Sequence, residues 1–202
     1  MFVNIRVNKF LKISVVMTSF GFITSNAFCG GTIAGSIDTH LIKYKGDVVV
    51  CLKDVKGTVV AQQAYINMRN ITITPQVTVL PLGSTIAFTS CDTVNHTIFS
   101  GNSLYENSLG SIDTGITKSS SFDKSGVFQL LCSCHPEMIG WAIVGKNPNT
   151  ALINNDGKFS ISNVPVGTYD IAVWNNQRKL QSRATVTVAE GKTSPIGLKI
   201  AE

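Results

Sequence analysis

The stretch Gly126–Gly145, GVFQLLCSCHPEMIGWAIVG, constrains this chain more than any other. Within it, Cys132, His135 and Met138 set a thiolate, an imidazole and a thioether at three-residue intervals. They occupy a short loop between two apolar, β-branched runs of the kind that form strands. Soft sulfur with borderline nitrogen suits copper, zinc or iron–sulfur and poorly suits calcium or magnesium. One further ligand has to come from elsewhere, and the chain has only three histidines. His96, in Asp92-Thr93-Val94-Asn95-His96-Thr97-Ile98-Phe99, lies directly after a strand-like run and is the candidate.

Spacing separates the rival metal chemistries. Haem attachment needs Cys-x-x-Cys-His, and Cys132-Ser133-Cys134-His135 is one residue short. A binuclear copper centre sets its thiolates further apart than Cys132 and Cys134. Structural zinc uses four closed ligands, and the chain has no second Cys-x-x-Cys or His-x-x-x-His cluster. A trigonal set of two His and one Cys with a weak axial Met is the blue-copper arrangement. Cys-x-x-His-x-x-Met between two strands, with Asn95-His96 upstream, resembles the cupredoxins of the plastocyanin/amicyanin type. The resemblance covers 58–146.

The resemblance implies a Greek-key β-sandwich holding one copper ion, with His96, Cys132 and His135 as the trigonal ligands and Met138 as the axial one. It implies outer-sphere electron transfer, with His135 as the exposed port and a redox partner protein docked on the apolar end. It does not imply an enzyme, because copper oxidases and nitrite reductases need further histidines and only His40 is left. A copper carrier that holds Cu(I) without turnover is the alternative. A scaffold that has lost its metal is a third reading, opposed by the complete ligand set. Two positions depart from the family pattern, Cys91 and Cys134, which both border the copper site in the family fold. Their joint replacement implies a disulfide between them, closing a loop worth roughly 3–4 kcal/mol in the chain-entropy model. Metal binding by one of them is the competing possibility.

Residues 1–27 read as a secretory signal peptide. Arg6, Lys9 and Lys12 form the positive n-region, Ile13–Ile23 the apolar h-region, and Ser25-Asn26-Ala27 the cleavage site. The apolar run is too short to span a membrane, and the bulky Phe28 argues against a lipid anchor at Cys29. The sequence therefore predicts an exported, most simply periplasmic, protein, with an uncleaved anchor as the alternative. Removing the leader lowers Lys+Arg from 17 to 14 against 12 acidic residues. The mature chain is then nearly neutral and carries no basic stripe suited to nucleic acid.

Beyond the leader no window keeps a helical period, and many short alternating runs end at Gly, Pro, Asn or Ser. The fold class predicted is all-β. Asn154-Asn155-Asp156-Gly157-Lys158-Phe159 through Val164-Pro165-Val166-Gly167-Thr168-Tyr169 is a turn, a strand, a second turn and a strand. It resembles the transthyretin-like, carboxypeptidase regulatory-like β-sandwich. The opening strands of such a module appear before the cupredoxin-like part, at Thr32–Ile37 and Asp47–Lys53. The reading is thus a split sandwich, 28–57 and 147–202, with a cupredoxin domain inserted at 58–146; simple tandem domains are the alternative. This combination resembles exported plastocyanin-like proteins of the methylamine-utilisation type. His40 reads as solvent-facing, Cys51 as a small buried hydrophobe, and Trp141 as core.

Overall fold

The computed structural model describes residues 30–38, 47–101, 108–147, 149–176 and 183–199. The predicted leader at 1–27, Cys29 and His40 lie outside the described residues. Strands begin with β1 (Gly31–Asp38) and β2 (Val48–Leu52). The middle of the chain forms β3 (Gln63–Arg69), β4 (Thr72–Thr74), β5 (Val77–Pro81), β6 (Thr85–Ser90) and β7 (His96–Ser100). It continues with β8 (Ser111–Ile112), β9 (Thr117–Ser121), β10 (Gly126–Cys132) and β11 (Ile139–Gly145). The last part forms β12 (Thr150–Leu152), β13 (Lys158–Val164), β14 (Gly167–Asn175), β15 (Arg183–Val188) and β16 (Thr193–Lys199). The described residues are all-β, as the turn-rich alternating sequence predicts.

The middle strands make two sheets, ordered β5-β11-β10-β7-β8 and β4-β3-β6-β9. Alternation in β10 turns Phe128, Leu130 and Cys132 to the same buried face. They meet Ile66 and Met68 of β3 and Ile86 and Phe88 of β6 in one apolar cluster. Phe122 closes edge-on against Phe128, ring centroids 5.5 Å apart. Two parallel pairings, β11 with β5 and β3 with β6, combine with antiparallel ladders elsewhere to make the β-sandwich.

A second sandwich draws on both ends of the chain. Its sheets are β13-β1-β16 and β12-β2-β14-β15. Ile33, Val48, Val50 and Leu52 from the first two strands share a core with Phe159, Ile161, Ile171, Val173 and Leu198. The first two strands do not form a hairpin with each other. β1 pairs antiparallel with β13 and parallel with β16, while β2 lies between β12 and β14. The chain leaves and re-enters this sandwich at one point. The Leu52 N–H donates to the Asn149 carbonyl at 3.0 Å, and the Asn147 side-chain amide donates to the Leu52 carbonyl at 3.1 Å.

The predicted turn before β13 is built as its sequence requires. Asn154 Oδ1 accepts from the N–H groups of Asp156 and Lys158, and Gly157 takes φ +77°. At the second turn the Tyr169 hydroxyl donates to the Pro165 carbonyl at 3.0 Å. Between the sandwiches, Trp141 of β11 is half-buried and packs edge-on against Trp174 of β14, centroids 5.4 Å apart.

Gly35 in β1 shows how closely the outer sandwich is knit. A Cβ there would stand 2.5 Å from the Phe159 ring and 2.6 Å from the Ile196 carbonyl oxygen, one on each neighbouring strand. Gly35→Val is expected to lower stability by about 2–3 kcal/mol through overpacking, read as a fall in the urea midpoint.

Candidate metal centre

The centre is assembled where the β7–β10 ladder ends. Cys132 is the last residue of β10 and pairs with Ile98, and the Ser133 N–H donates to the Thr97 carbonyl at 3.0 Å. That ladder sets His96, the first residue of β7, beside Cys132, although 36 residues separate them. His96, which follows a strand-like run in the sequence, opens a strand of its own in the structure, with 91–95 as the link from β6. Past Cys132 the chain turns tightly, and the Met138 N–H donates to the His135 carbonyl at 3.0 Å. This turn brings His135 back over the thiol.

His96 Nδ1 lies 3.8 Å and His135 Nδ1 3.7 Å from Cys132 Sγ. All three ligand atoms fall within 4.8 Å of one another. Metal–sulfur and metal–nitrogen bonds of about 2.3 and 2.0–2.1 Å, meeting at a trigonal angle, would separate the sulfur from each nitrogen by about 3.8 Å. The spacing therefore fits one small metal ion among the three. The imidazoles are tilted by 57° with centroids 5.0 Å apart, so they converge without stacking face to face. His96 is fully buried, Cys132 and Met138 nearly so, and His135 is partly exposed. Met138 belongs to the same buried cluster as Cys132.

A carboxylate that the sequence reading passed over completes the surroundings. Asp92 Oδ2 lies 2.9 Å from His96 Nε2. A carboxylate only accepts, so Nε2 carries a proton, and in the neutral ring the lone pair is then at Nδ1, the atom beside Sγ. The same carboxylate accepts from the Asn70 N–H at 2.6 Å and the Ile71 N–H at 3.0 Å. Partial burial works against its charge, but these two N–H groups and the His96 ring hold Asp92 below its ordinary pKa. Asn70 and Ile71 form the two-residue turn between β3 and β4, at φ 53° and 55°. Asn tolerates that conformation; a β-branched residue does so at a cost of about 1–3 kcal/mol. The available signal was the i, i+4 placement of Asp92 and His96.

Cys91 and Cys134, the pair for which the resemblance implies a disulfide, are both exposed, and in this structure both are free thiols. They follow β6 and β10, strands of opposite sheets. The Cys91 N–H is held by the Met68 carbonyl at 2.8 Å, on its own sheet. Cys51 is half-buried with its thiol directed to the Ala172 carbonyl at 3.6 Å. Burial pushes that thiol's pKa up, with Lys53 opposing. No helix among the described residues is long and apolar enough to cross a membrane.

Comparison with known proteins gives partial matches. Residues 150–196 match a family model described as polysaccharide lyase family 4, domain II. Among solved structures, the chain is similar to a purple cupredoxin from Nitrosopumilus maritimus, at 24% identity and TM-score 0.38 over 41% of this chain and 99% of that one. It is similar to amicyanin from Paracoccus versutus at 16% identity and TM-score 0.38, over 48% and 97% respectively. A copper-containing nitrite reductase from Thermus scotoductus SA-01 aligns at 21% identity and TM-score 0.39, over 42% of this chain and 22% of its own. No curated protein matches the chain.

A filled centre should be visible in stability. Copper at 100 times its dissociation constant is expected to stabilise the protein by about 2.7 kcal/mol, raising the thermal midpoint. Cys132→Ser is expected to abolish that rise in the same scan.

Proposed function

We propose that the chain is an exported blue copper protein of the cupredoxin type, carrying electrons by outer-sphere transfer. The observation that carries this reading is the spacing of His96 Nδ1 and His135 Nδ1 at 3.8 and 3.7 Å from Cys132 Sγ, at one end of a β-sandwich. Copper, when bound, supplies a one-electron couple. His96, Cys132 and His135 would hold it, with Met138 as a further, weaker ligand. The chain's own work is to keep these groups in one arrangement. The β7–β10 ladder fixes His96 against Cys132, and the His135–Met138 turn fixes the remaining pair. The buried face excludes water behind Cys132 and Met138.

His135 is the ligand nearest solvent, and exposed Val94 and Ile139 give that end an apolar character. A redox partner protein docks there in this reading. Residues 1–27 direct export to the periplasm and are removed near Ala27. Residues 28–57 and 147–202 make a split, carboxypeptidase regulatory-like sandwich that carries the inserted cupredoxin domain 58–146. The protein is not itself an enzyme; it binds neither nucleic acid nor a membrane as a spanning protein. A second reading, a copper carrier without turnover, draws on the exposed thiols of Cys91 and Cys134, which suit transfer of Cu(I) between sulfur ligands.

The test is a visible and electron paramagnetic resonance spectrum of the mature protein after addition of Cu(II). Electron transfer predicts an intense thiolate-to-copper band that reductant bleaches reversibly and Cys132→Ser eliminates. A colourless protein that retains Cu(I) would replace this reading with the carrier.

A further inference from the structure

We propose that Asp92 is the positioning residue of the metal centre, joining His96 and the β3–β4 turn into one unit through a single carboxylate. The proposal rests on the metal-centre reading above but reaches a residue that is not a ligand. The carboxylate has three N–H neighbours, those of Asn70, Ile71 and the His96 ring. Its side chain is 11% exposed and His96 is fully buried, so water has little access to stand in for it at the ring, while the Asn70 and Ile71 end is exposed.

Two consequences follow from the acceptor chemistry. First, a ligand imidazole whose far nitrogen donates to a carboxylate is fixed in tautomer and ring orientation and becomes more basic. His96 Nδ1 is thereby committed to the metal before the metal arrives. Second, a β-branched residue disfavours the φ of 55° that Ile71 takes in this turn. With both turn N–H groups donating to Asp92, the conformation is specified from outside the hairpin. The Asp92 backbone is pinned in turn, because the Thr114 hydroxyl donates to its carbonyl at 2.6 Å. The residue is thus held by one loop while it holds another. Sheet β4-β3-β6-β9 reaches the ligand set through this carboxylate, whereas Cys132 and His135 depend on the opposite sheet.

The experiment compares wild type, Asp92→Ala and Asp92→Asn. Asn leaves one acceptor oxygen for three donors and keeps the side-chain shape, so it secures a folded variant if Ala does not. Imidazole nitrogen NMR on the metal-free protein is expected to find His96 protonated at Nε2 in wild type and mixed between tautomers in Asp92→Ala, with His135 unchanged. The Asn70 and Ile71 amides are expected to exchange faster in both variants. Cu(II) affinity is expected to fall 10–100-fold in Asp92→Ala, less in Asp92→Asn, and the reduction potential to move upward as the negative charge beside the oxidised site is lost. An unchanged His96 tautomer, or an affinity within twofold of wild type, would overturn the proposal. If wild type bound no copper, the electron-transfer reading would fail while the metal-free tautomer measurement still decided the role of Asp92.

Discussion

The antiparallel ladder between β7 and β10 is the constraint on which the candidate metal centre depends. Leu130, Leu131 and Cys132 register against Ser100, Phe99 and Ile98. Side-chain alternation then does the rest. Residues at even spacing on β10 face the core, so the thiol of Cys132 is buried because Phe128 and Leu130 are. A slip of one residue would turn all three outward. The apolar core and the ligand geometry are thus set by one register, and the centre cannot be tuned independently of the packing beneath it.

Much of this could be read from residues close together in the chain. The Cys132–His135–Met138 loop and its flanking strands share one segment, and their pattern reports both strand and ligand. The turn at Asn154–Gly157 was equally legible, since Asn and Gly there have backbone roles that few other residues fill. The pairing of β1 and β2 with the later strands is not legible in periodicity, which carries no information on partners.

What escaped has a common physical origin. Asp92 meets Asn70 and Ile71 across 21–22 residues, through backbone N–H groups that every residue possesses. No residue type marks such an acceptor's partners. The tie between the β3–β4 turn and His96 is this carboxylate.

The outer sandwich is closed by strands from the two extremes of the described chain, with the ligand-bearing strands between them. As the polypeptide emerges, β1 and β2 have their edges open until β12 to β16 follow. His96, Cys132, His135 and Met138 are by then all present, on a sandwich whose strands run only from Gln63 to Gly145. The order of synthesis therefore favours completion of the inner sandwich first. The first two strands must wait as unpaired β-edges, the kind of exposed template that invites wrong partners. Sequence separation thus gives the outer sandwich the larger loop-closure cost in building this molecule.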